Sequence, residues 1–329
     1  MMQENILEVR DLSMSFFNSH GELPAVNHVT FNVEKGKTLG IVGESGCGKS
    51  MTSLCVMGLF PQPPGKIVGG SILFQGKDLT KLKPREMHKI RGKGISMIFQ
   101  EPMTSLNPVL TIGDQITEAI LLHEKVSKAE AKKRALHMIE LVGIPMPEKI
   151  FASCPHQLSG GMRQRAMIAM ALSCDPELLI CDEPTTALDV TVQSQILSLI
   201  NRLKAQTGTS VMLITHDMGV INEMADTVIV MYAGQIVEQA ETAELFAHPA
   251  HPYTIGLIQS IPPLDREVDE LNVIPGSVPM LYELPEGCLF APRCPYATEK
   301  CRRERPDIGQ ASPGHDVRCF RYMPGWEGE

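Results

Sequence analysis

No run of eighteen apolar residues occurs in the 329-residue chain, so no segment has the length and hydrophobicity of a transmembrane helix. Basic charge is also short. The 30 Lys and Arg are outnumbered by 38 Asp and Glu, giving a net charge of -8. A protein that coats nucleic acid needs a basic face, so that class is excluded, although a local anion site is not. The opening Met1-Met2-Gln3-Glu4-Asn5 carries an acid and lacks the basic start and apolar stretch of a signal peptide. The expectation is a protein that stays in the cytoplasm, where its nine cysteines serve as thiols or metal ligands rather than disulfides. There is no internal repeat, no sustained heptad pattern and no C-x2-C pair. What remains is ordinary globular composition, 43% hydrophobic and 21% charged, in a chain long enough for a sizeable core.

Periodicity divides the chain into α/β stretches. Ile6 to Val9 and Ala25 to Val33 alternate as antiparallel strands do, and Thr38 to Val42 is continuously apolar, as a buried parallel strand would be. A glycine-rich segment and a helix from about Lys49 to Leu59 follow. Ser71 to Phe74 and Ile95 to Phe99 read as strands, and about Asp114 to Val142 reads as helical. A second αβ stretch places a helix near Met162 to Leu172, a strand at Leu178 to Cys181, a helix at Val192 to Ala205 and a strand at Ser210 to Thr215. Val228 to Tyr232 and Gln235 to Val237 form a hairpin around Ala233-Gly234. After about His248 prolines and cysteines become frequent and periodicity fades, which places a domain boundary between 1–248 and 249–329.

Three motifs carry chemistry. Gly43-Glu44-Ser45-Gly46-Cys47-Gly48-Lys49-Ser50 fits G-x-x-x-x-G-K-[ST] between an apolar strand and a helix. Such a loop turns several N–H groups toward one anion, and the helix that begins at Lys49, Ser50 and Met51 adds its positive end. Lys49 would reach the β- and γ-phosphates and Ser50 would bind Mg²⁺. Leu178-Leu179-Ile180-Cys181-Asp182-Glu183 is an apolar strand ending in two acids, at the sheet edge where ligands bind. Asp182 would hold Mg²⁺ and Glu183 would act as general base toward water. Leu158-Ser159-Gly160-Gly161-Met162 exposes N–H groups at a helix start; taken alone it reads as an ordinary N-cap.

In this order the segments from about Ile6 to Val237 resemble the ABC ATPases. The resemblance covers a signature at Leu158 to Met162, a glutamine loop at Gln100, a D-loop at Ala187-Leu188-Asp189 and a switch histidine at His216. It implies a RecA-like core with an antiparallel β-subdomain and an inserted helical subdomain at about 101–172, hydrolysing ATP with Mg²⁺. Gln100 would contact Mg²⁺ or the attacking water, His216 the γ-phosphate, and Phe16 the adenine, with Phe17 the other aromatic candidate. Ser159, Gly160, Gly161 and Asp189 would face nucleotide held by a second cassette, identical or a sister chain. Only one phosphate loop is present, unlike translation-type ATPases with two cassettes, and the long coiled coil of the DNA-repair ATPases is missing.

Glu101-Pro102-Met103-Thr104-Ser105-Leu106-Asn107-Pro108, His251-Pro252-Tyr253-Thr254 and Pro292-Arg293-Cys294-Pro295 narrow the resemblance to the peptide/nickel importer branch. That implies work at the cytoplasmic face of the cell membrane with two transmembrane permease subunits and an extracytoplasmic substrate-binding protein, carrying dipeptides or oligopeptides, or alternatively nickel or another small solute. Cys288, Cys294, Cys301 and Cys319 cluster in the tail as C-x5-C-x6-C-x17-C, and four cysteines suit Zn²⁺ or a 4Fe–4S cluster. The resemblance implies the 4Fe–4S cluster, with the nearby Arg293, Arg302, Arg303 and Arg318 offsetting its charge and the metal supplying much of the tail's folding energy. A redox protein with a regulatory cassette is the rival reading of that tail. Cys47, Cys55, Cys154, Cys174 and Cys181 are expected to pack as small hydrophobes, with Cys47 a site for oxidants or alkylators.

Overall fold

The computed structural model describes residues 4–19, 21–101, 105–186, 189–261, 273–324 and 326. Ala187 and Leu188 of the D-loop, and Pro102, Met103 and Thr104 of the segment after Gln100, lie outside the described residues. The chain forms two compact units. One takes in Met1–Ile6, Val33–Lys37 and Lys81–Ile214; the other takes in Leu7–Asn32, Thr38–Thr80 and Thr215–Glu329.

In the first unit Ile95–Ile98 pairs in parallel with Leu178–Asp182, which pairs in parallel with Ser210–Ile214. Every residue of these three strands is buried, which is why their sequences run apolar instead of alternating. Around them lie helices Ile112–His123, Lys128–Leu141, Pro147–Phe151, Gly160–Leu172 and Val190–Thr207. The expected helix over 114–142 is two helices. The Ser127 hydroxyl accepts from the Glu130 N–H, so a cap restarts the chain in a new helix. Ile112, Ile116 and Ile120 of the first, and Ala131, Ala135, Met138 and Ile139 of the second, recur every three or four residues and are buried. The first helix runs close to Phe151: a Cβ at Gly113 would stand 2.3 Å from its ring.

In the second unit residues 7–18 of the strand Asn5–Asn18 and 21–32 of the strand Gly21–Glu34, with Gly65–Phe74 and Lys77–Asp78, form a four-stranded sheet. The first two strands outrun the alternation that marked them, because Ser13 and Ser15 are buried along with Leu12 and Met14. Thr38–Val42 pairs in parallel with Thr227–Tyr232, with Ile41 opposite Ile229. Thr227–Tyr232 turns into the antiparallel Gln235–Glu241 at the expected hairpin. The tail then continues the sheet: His315–Val317 pairs with Gln235–Glu241, placing Val317 opposite Glu238, and Gly309–Ser312 pairs with His315–Val317. Glu238 is fully buried, yet its carboxylate accepts the N–H groups of Ala250 at 2.7 Å and His251 at 2.8 Å and meets His315 Nε2 at 2.7 Å. The tail is thus organised by strand pairing and a satisfied buried carboxylate. The expectation that a metal would supply its folding energy is set aside on that ground.

Candidate functional site

The phosphate loop follows Thr38–Val42 without a break in burial through Gly43. Three of its glycines take backbone angles that other residues avoid: Gly43 at φ +150°, Gly46 at +81° and Gly48 at +103°. At Gly48 the reason is also spatial, since a Cβ would stand 2.8 Å from the Ala25 carbonyl oxygen. Gly48 caps the helix Lys49–Met57 in a left-handed backbone conformation and, lacking a side chain, makes no side-chain cap hydrogen bond. Lys49 is 4% exposed. Its Nζ donates to the carbonyls of Gly43 at 2.6 Å and Glu44 at 3.1 Å. Ser45 and Gly46 are exposed, and Ser50 and Met51 half-buried. Phe16 is half-buried on a strand opposite Gly65, whereas Phe17 is 44% exposed. His216 is exposed just beyond Thr215, whose N–H donates to the Ile41 carbonyl at 3.2 Å.

The carboxylates are held in the other unit. Asp182 ends its strand at 5% exposure. Glu183 has φ +47°, a left-handed backbone that costs a non-glycine residue about 1 kcal/mol or more. Its N–H donates to the Ile214 carbonyl at 2.9 Å, which anchors the turn to the neighbouring strand end. Its Oε2 accepts Gln100 Nε2 at 2.9 Å and the Thr186 hydroxyl at 3.0 Å. Gln100 and Glu183, read as separate functional residues, are therefore hydrogen-bonded to each other. Thr186 went unread, although its place three residues after Glu183 was a usable signal. Gln164 also went unread; it is buried and donates to the Pro184 carbonyl from the signature helix.

Ser159 caps the helix Gly160–Leu172, its hydroxyl accepting the Met162 N–H at 3.3 Å, and Ser159 and Gly160 are exposed. Asp189 caps Val190–Thr207 by accepting the Val192 N–H at 2.9 Å, and Val190 beside it is 84% exposed. The phosphate loop, Phe16 and His216 belong to one unit, and Gln100, Asp182, Glu183, Ser159 and Asp189 to the other.

Cys47, Cys55, Cys174 and Cys181 are buried, as expected of small hydrophobes, while Cys154 is half-buried. Burial lifts the Cys47 thiol above its ordinary pKa despite the lowering effect of Lys49, which argues against its reacting with oxidants or alkylators.

This set of parts, a phosphate loop, a strand-end acid pair and a second glycine-rich helix start, is that of an ABC cassette. The family described as "ABC transporter" matches residues 26–186, and that described as "Oligopeptide/dipeptide transporter, C-terminal region" matches 237–301. The oligopeptide transport ATP-binding protein AppD of Bacillus subtilis is 55% identical over 96% of this chain and 97% of its own. The dipeptide transport ATP-binding protein DppD of the same organism is 52% identical over 96% and 95%. Among solved structures, the dimeric ATP-binding cassette MJ0796 with ADP and Pi matches 72% of this chain and 98% of its own at TM-score 0.65 and 26% identity. The chain belongs to the ATP-binding subunits of oligopeptide/dipeptide ABC transporters, and it is an ATPase.

The expected 4Fe–4S cluster is corrected by these findings. Among the described residues no three His, Cys, Asp or Glu side chains are grouped to hold a metal ion, and AppD and DppD are named as transport ATP-binding proteins. Cys288, Cys294, Cys301 and Cys319 line a small pocket with Phe290, Tyr296, Phe320 and Trp326. Burial lifts Cys288 to about 11 and also raises Cys294 and Cys319. The Cys301 sulfur pairs with the Thr298 hydroxyl at 3.4 Å. Three of the four arginines are committed elsewhere: Arg293 to Glu44, Arg318 to the Ile236 and Pro306 carbonyls, and Arg303 to Glu299 on the surface.

Proposed function

We propose that this subunit couples ATP hydrolysis to the uptake of dipeptides or oligopeptides, working as one of two cassettes beneath two permease subunits fed by an extracytoplasmic binding protein. The observation that carries the hydrolytic half is Glu183: a strained carboxylate at a strand end, held by Gln100 and Thr186 beside the buried Asp182. In this reading Glu183 accepts a proton from the attacking water, Gln100 orients that water, and His216 bonds the γ-phosphate. Gly43, Ser45, Gly46, Cys47, Gly48 and Met51 supply backbone to the phosphates, Lys49 their countercharge, and Phe16 a face for adenine. Ser50, Asp182 and Gln100 would hold Mg²⁺. Their hard oxygens suit that ion, which offsets phosphate charge when bound.

Ser159, Gly160, Gly161 and Asp189 serve nucleotide on the partner cassette; the exposure of Ser159 and Gly160 supports this, as does the dimeric state of MJ0796. The partner is a second copy or a sister chain. Residues 1–248 then form the cassette, about 101–172 its helical subdomain passing motion to the permease, and 249–329 the importer extension. Among the described residues no helix is long and apolar enough to cross a membrane, so the subunit is held at the cytoplasmic face by its permease. Peptide cargo follows from the names of AppD and DppD. The test is uptake of labelled tripeptide into vesicles carrying the assembled transporter, with ATP inside or outside. Uptake dependent on ATP at the cassette side and lost with Glu183→Gln is expected. ATP-driven uptake of nickel without peptide uptake would transfer the assignment to the metal-importing side of the family.

A further inference from the structure

The phosphate loop is gripped by a side chain 249 residues further along the chain. Arg293 is buried, its side chain only 5% exposed. Nη1 donates to Glu44 Oε2 at 2.6 Å and Nη2 to Glu44 Oε1 at 2.9 Å, a two-pronged pair. The rest of the guanidinium is fixed too: Nε donates to the Pro275 carbonyl at 2.8 Å, and Nη2 reaches the Ile274 carbonyl at 3.4 Å. Its carbon stands 5.8 Å from the Tyr232 ring centre and 6.0 Å from that of Phe290. Tyr253 packs edge-on against Tyr232, and its hydroxyl accepts the Glu44 N–H at 2.8 Å. Both the carboxylate and the amide of Glu44 are thus taken up by the tail, while the Glu44 carbonyl accepts Lys49 Nζ. Glu44 is the first variable residue of the loop, directly after Gly43. A carboxylate left free there would repel a triphosphate and compete for Lys49.

We propose that Arg293, assisted by Tyr253, is a positioning clamp for the phosphate loop: it neutralises Glu44 and holds that carboxylate back, so that the loop and Lys49 can receive the phosphates of ATP. The proposal rests on the reading of residues 43–50 as the ATP phosphate site. It makes nucleotide affinity a property of the tail, while Glu183 sets the rate of the chemical step. The match of an arginine fork to a carboxylate explains why lysine would be a poor replacement.

The experiment is a titration of the full-length chain with fluorescently labelled ATP and Mg²⁺, alongside ATPase kinetics of the assembled transporter. Arg293→Met keeps an apolar stem among the aromatic rings but removes the fork. It is expected to weaken nucleotide binding about tenfold and to raise KM for ATP with kcat at saturation little changed. Arg293→Met with Glu44→Gln is expected to recover affinity to within about threefold, because the repelling charge is gone. Arg293→Lys should fall between wild type and Arg293→Met, and if Arg293→Met does not fold, the pair Arg293→Lys with and without Glu44→Gln makes the same comparison. Wild-type affinity in a folded Arg293→Met protein overturns the clamp. So does a double variant as weak as the single one, which would show a packing role only. Lys49→Ala separates the two readings. If it binds ATP normally, the phosphate-loop assignment falls and the clamp with it; if it binds poorly while Arg293→Met binds normally, the clamp alone is wrong.

Discussion

The helices Lys49–Met57 and Gly160–Leu172 both begin on glycine-rich segments, yet their first turns are closed differently. The first is capped by Gly48 in a left-handed conformation with no side-chain hydrogen bond. The second is capped by the Ser159 hydroxyl, which takes the Met162 N–H. The first is flanked by a buried lysine and by a buried arginine paired with the half-buried Glu44, the second by the exposed Ser159 and Gly160. A helix start with a glycine cap beside a buried lysine suits the anion site proposed within its own chain. A self-capped start on an exposed face is stable alone and can add to a site on a neighbour. This contrast agrees with the proposed division, in which the first segment holds the chain's own nucleotide and the second serves a partner's.

The largest expected effect lies in neither helix but at Glu183, the proposed general base. Glu183→Gln should slow phosphate release by the assembled transporter roughly a hundredfold while ATP binding persists, the scale for loss of a general base. Near-normal release would remove Glu183 from the base role and leave the division between the helix starts without a shared reaction.

A matched pair of glycine substitutions sharpens it further. Gly48→Ala sets a Cβ 2.8 Å from the Ala25 carbonyl at φ +103°, so the loop must distort and ATP affinity should fall at least about tenfold. Gly160→Ala meets nothing within 4 Å. Its protein should melt at or slightly above the wild-type temperature, keep ATP affinity in the isolated chain and lose hydrolysis only when assembled with a partner cassette. Equal loss of ATP affinity in both isolated variants would show that the two segments act on the same nucleotide within one chain.

Ser159→Ala is expected to cost about 1 kcal/mol of stability, since the Met162 N–H loses its acceptor. Denaturant titration measures this directly. An unchanged midpoint would mean that the cap contributes nothing to stability.

How much of this was legible in sequence depends on the range of the interaction. Thr38–Val42 was read with its observed bounds because burial on both faces leaves a continuous apolar run. The phosphate loop was equally plain, since its glycines answer to local backbone angles. The helix break at Ser127 was readable in principle, being a cap signal in an otherwise helical stretch. The pairing of His315–Val317 with Gln235–Glu241 was not, because three residues carry too little alternation to mark a strand. Nor was Arg293 with Glu44: no local pattern announces a pair so far apart. The four tail cysteines misled because the choice of a cluster was carried over from the resemblance, whereas among the described residues no group of three His, Cys, Asp or Glu is placed to hold a metal ion and the four cysteines line a pocket with aromatic rings.

The smallest expected effect tests whether the tail, which closes the loop from behind, is itself sensitive to pH. His251 is 2% exposed, and burial lowers its pKa to about 3. Its Nδ1 accepts the Tyr253 N–H at 3.0 Å, which requires an unprotonated nitrogen and sets the start of the helix that bears Tyr253. A histidine whose folded pKa lies below the unfolded value near 6.5 contributes stability that is full above about pH 6.5 and is lost as pH falls toward about 3. Glu238 and His315 lie in the same buried network, so the change must be isolated by substitution. His251→Asn keeps a capping acceptor without a titrating ring. Between pH 6.5 and pH 5 the wild-type melting temperature should drop by on the order of a few degrees more than that of His251→Asn. Parallel pH profiles would show that His251 is not the source of acid sensitivity.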